Sequence, residues 1–216
     1  MLVRDRMTIN PVVIRDDTAV ADALKLMRTK TIRHLPVVNQ EGHLSGIVSE
    51  KDLAGALPLP LAPLIARKIR EFLHVLKVKK VMAPRVVTIP EDATIEEAAI
   101  LMFSCDISGL PVMREKTLVG IITATDLYKV FLSLLGARSP GARITVLVRD
   151  AKGTIARITE AIFKAGGTIV GLGTSEFAKS DDGLRECVFK VQGIPAAQLV
   201  DAVGPLVHQV TDLRQQ

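Results

Sequence analysis

Two stretches of the chain share one pattern: a glycine, a hydroxyl residue three positions on and an aspartate six positions on. They read Gly46-Ile-Val-Ser49-Glu-Lys-Asp52 and Gly120-Ile-Ile-Thr123-Ala-Thr-Asp126. Each places a hydroxyl and a carboxylate three residues apart at the expected start of a helix. There, free N–H groups and the positive end of the helix dipole attract a phosphate. The hydroxyl adds a hydrogen bond, and an outward aspartate can accept both hydroxyls of a ribose. The same spacing also makes a capping box, in which the hydroxyl and the acid satisfy the helix's own orphan N–H groups. The two roles are compatible, and the motif alone does not separate them.

No bond-making set accompanies these groups. His34, His43, His74 and His208 lack metal-ligand spacing. The chain has no P-loop and no Gly-x-Ser-x-Gly elbow. Cys105 and Cys187 lie in apolar patterns, which predicts two buried thiols and neither a disulfide nor a metal pair. The glycine-rich run from Gly166 to Gly173 does not complete a dinucleotide fingerprint, and it reads as a strand with tight turns. The expectation is a binding protein without catalysis or a catalytic cofactor.

The elements that position the two motifs are themselves duplicated. Residues 32–52 and 107–126 repeat one text: Pro36 and Pro111 lie 75 positions apart, as do Met7 and Met82, while Gly46 and Gly120 lie 74 apart. Two copies at this period exclude a solenoid and predict two similar lobes with clefts at their interface. Each lobe reads β-α-β-β-α. The first has strands at 11–14, 34–39 and 43–48, with Asp16-Asp17-Thr18 capping a helix whose apolar face is Val20, Ala23, Leu24 and Met27. The second has strands at 86–89, 109–113 and 118–122, a helix with Ile95, Ala98, Ala99 and Met102 inward, and a closing helix at 125–135. Residues 57–80 insert a helix with an apolar stripe and a basic face. After a linker at 136–142, residues 143–216 read β-α-β-β-α-β, the ferredoxin-like order, with Ile155, Ile158 and Ile162 inward on the first helix.

Composition fits this plan. Of 216 residues, 48% are hydrophobic and 24% charged, enough for ordinary globular cores. No apolar run approaches membrane-spanning length and residues 1–10 lack a signal peptide's apolar stretch, so the expectation is a cytoplasmic protein without membrane contact. The net charge of +5 raises a nucleic-acid-binding regulator that uses the basic 67–80 segment. One Tyr, six Phe and no Trp leave few rings on which single-stranded bases could stack, which disfavours that alternative.

Met-Thr before an Asn-Pro strand, Arg33-His34-Leu35-Pro36-Val37-Val38, and the Gly-x-x-Ser/Thr-x-x-Asp motif given twice resemble a CBS domain pair, or Bateman module, over residues 1–135. The boundaries would be repeat 1 at 1–56 and repeat 2 at 81–135. Residues 143–216 resemble an ACT domain, and the order is similar to AcuB-type acetoin-utilisation proteins of bacteria. The resemblance implies α+β tandem repeats packed as a pseudo-dimer, and an adenosine derivative such as AMP or ATP as regulatory ligand. One crossed site would take Thr8, Val12, Ile32, Arg33 and His34 from the first repeat with Thr123 and Asp126 from the second. Its twin would take Ala83, Val87, Ile107, Ser108 and Gly109 with Ser49 and Asp52. Arg33 and His34, where the twin has Ser108 and Gly109, would favour phosphorylated ligands in the first site. The ACT resemblance implies an amino-acid effector at Asp150, Gly153 and Thr154, although Lys152-Gly153 stands where that family often has Pro-Gly. The alternative is an ACT-mediated dimerisation scaffold without ligand. A homodimer and an unidentified regulated protein complete the expected partners.

Overall fold

The computed structural model describes residues 1–55, 72–83, 85–176 and 183–215. Residues 67–71 of the basic 67–80 segment, with Arg67, Lys68 and Arg70, lie outside them. The chain divides into two compact units, Met1–Leu127 and Tyr128–Gln216.

In the first unit both lobes repeat one topology. In lobe one, β2 (Ile14–Arg15) runs parallel to β3 (His34–Val38), which pairs antiparallel with β4 (Leu44–Ser49). Helix α1 (Val20–Lys30) connects β2 to β3, and α2 (Glu50–Gly55) follows β4. In lobe two, β5 (Ile89–Pro90), α3 (Ile95–Ser104), β6 (Gly109–Arg114), β7 (Thr117–Thr123) and α4 (Ala124–Leu134) follow the same order. Leu35, Val37, Val48, Met27, Leu53 and Val78 close the first core.

The lobes exchange their leading segments, which periodicity did not reveal. A short strand β1 (Thr8–Ile9) leaves its own lobe and pairs with β7, Thr8 opposite Ile121. Val3 and Arg4 donate backbone N–H bonds to Ala93 and Glu91. Reciprocally, Val78 and Lys79 donate to Thr18 and Asp16, and Ala83 bridges to Ile47. Both motif glycines serve this exchange. A Cβ on Gly120 would lie 2.3 Å from Sδ of Met7, and one on Gly46 would lie 2.3 Å from Sδ of Met82. Each methionine fills the space its glycine leaves.

The expected strands at 11–14 and 86–89 shrink accordingly. Asn10 sits at φ 50° and Pro11 lacks an N–H, so the ladder ends with the Asn10 N–H on the Val119 carbonyl and strand pairing resumes only at Ile14. Asp16-Asp17-Thr18 does not cap α1. Ala19 occupies the cap position without a side-chain bond, because the 16–18 turn offers its carbonyls to the exchanged segment. Thr94, by contrast, forms a complete capping box with Glu97.

The second unit is one antiparallel sheet in the order β11-β8-β10-β9, built from β8 (Ala142–Arg149), β9 (Thr168–Glu176), β10 (Leu184–Gln192) and β11 (Gln209–Gln215). Helices α5 (Thr154–Lys164) and α6 (Ala196–Val203) cover one face over Ile144, Val146, Val148, Phe189 and Leu199. This is the β-α-β-β-α-β order expected. Three expectations change. Ile155 is exposed, because the buried stripe of α5 runs Thr154, Ile158, Ile162 at fourfold spacing. Residues 143–149 alternate Ile144, Val146 and Val148 with Thr145, Leu147 and Arg149, which predicts a half-buried strand, yet β8 is buried on both faces, Thr145 and Leu147 included. On the face away from the helices, the segment leading into β8 lies so close that a Cβ on Gly171 would stand 2.3 Å from the Leu135 carbonyl carbon. Lys190 is 1% exposed there and donates to the Gly141 carbonyl at 3.0 Å. Of the two thiols, Cys187 is buried, whereas Cys105, ending α3, is exposed.

Candidate functional site

The two motifs act first as caps. Ser49 donates both its N–H and Oγ–H to Oδ2 of Asp52, at 2.8 and 2.7 Å, and Asp52 returns its N–H to Ser49 Oγ. Thr123 does the same to Oδ2 of Asp126, at 3.1 and 2.7 Å. These bonds hold each carboxylate rigidly at the first turn of α2 or α4.

The copies meet around them. The Arg33 carbonyl accepts from Glu50 N–H at the start of α2, and the equivalent Ser108 carbonyl accepts from Ala124 at the start of α4. The exposed Arg33 side chain crosses to the other lobe, where Nη2 donates to Thr125 Oγ1 at 3.1 Å. Arg33, Thr123, Thr125 and Asp126 therefore gather at one helix start, and Thr8 stands on the strand paired two residues before Thr123. A guanidinium beside a helix N-terminus is a ready seat for an anion.

His34 departs from its expected place in the first site. Its Nε2 meets Ser108 Oγ at 2.9 Å, and its ring lies against Gly109, where a Cβ would approach Cδ2 to 2.9 Å. The imidazole thus occupies the twin's space. Burial lowers its pKa below the usual histidine value, the neighbouring Arg33 charge lowers it further, and Asp52 opposes both. It is neutral at neutral pH and supplies no second cation. The sign follows: a depressed histidine pKa makes the unfolded chain bind the extra proton. The stabilisation is complete above about pH 6.5 and is lost as pH falls toward the folded pKa. In urea titrations, His34→Gln is expected to flatten the slope just below about pH 6.5, which one proton limits to about 1.4 kcal/mol per pH unit. An unchanged slope would show that His34 titrates normally.

The remaining predicted residues divide. Ile32 is half-buried and packs on the first core, its N–H on Met27; Ile107 does the same with Met102. Val12 is exposed, Val87 half-buried, and Ala83 lies against Ile47, two residues before Ser49. In the second unit, Asp150 is held by Arg185 at 2.8 Å, Gly153 caps α5 at φ 82°, and buried Thr154 donates to the Arg149 carbonyl.

Thr125 and the His34–Gly109 fit escaped the sequence reading. A signal for the second existed: at equivalent repeat positions one copy has an imidazole and the other no side chain. A cavity of about 630 Å³ lies elsewhere, lined by His43, Leu44, Ile89, Met113, Glu115 and Lys116, and contains none of the predicted residues. Among the described residues no His, Cys, Asp and Glu cluster could hold a metal ion, and no helix is long and apolar enough to cross a membrane.

Comparison with known proteins gives these features a family. A CBS domain-containing protein of Dictyostelium discoideum is 35% identical over 136 residues, covering 62% of this chain and 94% of that one. The solved CBS domain pair of protein MJ0100, in complex with 5′-methylthioadenosine and S-adenosyl-L-methionine, is 28% identical with a TM-score of 0.52, over 64% of this chain and 98% of the other. The AcuB protein of Vibrio cholerae, assigned to acetoin utilisation, is 32% identical with a TM-score of 0.51, over 64% and 95%. The CBS domain model matches twice, at residues 3–59 and 78–133. Matched over more than half its length, the chain belongs to the CBS-domain family.

Proposed function

We propose that this protein is a non-catalytic regulator whose CBS pair senses an adenosine derivative. The observation that carries this is Arg33 reaching across the repeats to the start of α4, beside the fixed Asp126 carboxylate. Asp126 would bind the ribose, Arg33 an anionic tail, and Thr8, Val12 and Ile32 the base. The twin cleft would use Asp52 and Ser49 with Ala83, Val87, Ile107, Ser108 and Gly109, and it offers no cation in place of Arg33. The adenosine-type ligands of the MJ0100 pair support the ligand class. Likeness to AcuB supports a role in acetoin utilisation. The β-α-β-β-α-β order of the second unit supports an ACT-type regulatory domain, with Asp150, Gly153 and Thr154 as its effector loop. A cytoplasmic location belongs to the same reading.

Regulation requires the ligand to bind two states of the protein unequally. The test is thermal unfolding with AMP, ATP, 5′-methylthioadenosine and S-adenosylmethionine. A ligand at about 100 times its Kd stabilises by about 2.7 kcal/mol. No shift with any of the four would reject the reading.

A further inference from the structure

The cavity of about 630 Å³ opens at the far end of the first unit's strands from the two motifs. Leu44 lines it and begins β4, whereas Ser49 ends that strand, about 17 Å away at the usual rise. In lobe two, Met113 lines it near the end of β6, whereas the site residue Gly109 begins that strand. The cavity is thus separate from the clefts beside Asp52 and Asp126. The β3–β4 turn, the approach to β5 and the β6–β7 turn build it, so both lobes contribute. Its volume lies within the roughly 300–1,000 Å³ of small-molecule sites.

The lining sorts into an apolar wall and a polar mouth. Leu44, Ile89, Pro90 and Met113 offer hydrocarbon and one thioether, whose unbranched chain adapts to what it meets. His43, Thr88, Glu115 and Lys116 stand exposed around them. Among the described residues no hydrogen bond or ion pair engages these four side chains. Arg114, beside them, is instead paired with Glu91.

The β6–β7 turn is also where the two copies differ in length. Val38 and Leu44 enclose five residues and Met113 and Leu118 enclose four, which is why the repeat offset falls from 75 to 74. The longer turn has Gly42 in the left-handed region, at φ 81°, and the shorter has Glu115 there, at φ 53°. Glycine adopts this conformation freely and glutamate does not, and such strain gathers where a side chain is used.

We infer that this cavity binds a zwitterionic amino acid with a large apolar side chain. Glu115 takes the ammonium, Lys116 and His43 take the carboxylate, and Leu44, Pro90 and Met113 take the side chain. The pairing of signs sets the class. A simple anion would meet the Glu115 carboxylate and a simple cation the Lys116 ammonium, whereas a ligand with both charges satisfies both. The apolar wall turns away a polar side chain, which would lose water without gaining a partner. This site stands apart from ligand sensing at Arg33 and Asp126 and from the loop at Asp150, and neither of those results decides it.

The test titrates the full chain with L-leucine and L-methionine and follows backbone amides by NMR. The expected result is saturable shifts at Leu44, Thr88, Glu115 and Lys116, unchanged by saturating 5′-methylthioadenosine. 4-Methylpentanoate, which is leucine without its ammonium, and 3-methylbutylamine, which lacks the carboxylate, should each bind at least about tenfold more weakly. Glu115→Gly relieves the turn while removing the acid, so it should fold at least as well and still lose about tenfold in affinity. Lys116→Met should lose as much without touching the strained position. No shift at these amides with either amino acid up to about 10 mM overturns the proposal. So do shifts confined to the surroundings of Asp150, or equal binding of the analogues that lack one charge.

Discussion

Replacing Arg33 with alanine is expected to lower affinity for AMP or ATP by about ten- to a hundredfold while leaving 5′-methylthioadenosine within about threefold. A charge-assisted hydrogen bond contributes roughly 1.5–3 kcal/mol, and each 1.4 kcal/mol is a factor of ten. Methylthioadenosine carries no phosphate and has nothing for the guanidinium to hold. The variant is clean because Arg33 is exposed and its side chain bonds only the neutral Thr125 hydroxyl among the described residues. Its cost to stability should stay within about 0.5 kcal/mol. Arg33→Lys should fall between, since an ammonium loses the planar fork. Calorimetry with both ligands decides: equal losses, or none, would remove Arg33 from the site. Asp126→Ala is a poorer probe, because that carboxylate also caps α4 and its loss costs roughly 0.5–2 kcal/mol of helix stability before any ligand is added.

Phe189→Ala should produce the largest loss of stability. The ring, on β10, is fully buried in the core between the second unit's sheet and its helices, and such truncations cost about 3–5 kcal/mol. Whole domains are stable by only about 5–15 kcal/mol, so the second unit should melt far earlier or not fold. The first lobe's core is drawn from residues between Ile14 and Met82. Calorimetric scans should therefore resolve an early transition and a later one that still shifts with adenine ligand. Simultaneous loss of both transitions would show that the units are one cooperative block.

The lobes, their β-α-β-β-α order and the caps at Ser49 and Thr123 were legible because each rests on local pattern: period, turn chemistry and hydroxyl–acid spacing. What escaped depends on partners distant in sequence. Periodicity reports that a face is buried but not which sheet buries it, so it does not reveal β1 and it reads the neighbouring Val12 and Val13 as strand. His34 looked cationic beside Arg33, yet its position follows from an absent side chain at Gly109. β8 looked half-buried because nothing in its own residues announces that Leu135–Gly141 covers its second face. At the candidate site the residue types were readable and the resemblance implied a site crossed between the copies, while the Arg33–Thr125 bond and the seat of His34 against Ser108 and Gly109 were not readable.

The exchanged leading segments also constrain the order of synthesis. Val3, Arg4 and Thr8 are made first, yet their hydrogen-bond partners Ala93, Glu91 and Ile121 emerge late. The first lobe in turn waits for Val78, which is fully buried in its core. A growing chain thus carries an unmatched leading strand until nearly the whole pair has left the ribosome. Neither half can be expressed alone without leaving the other's missing strand as an open wound.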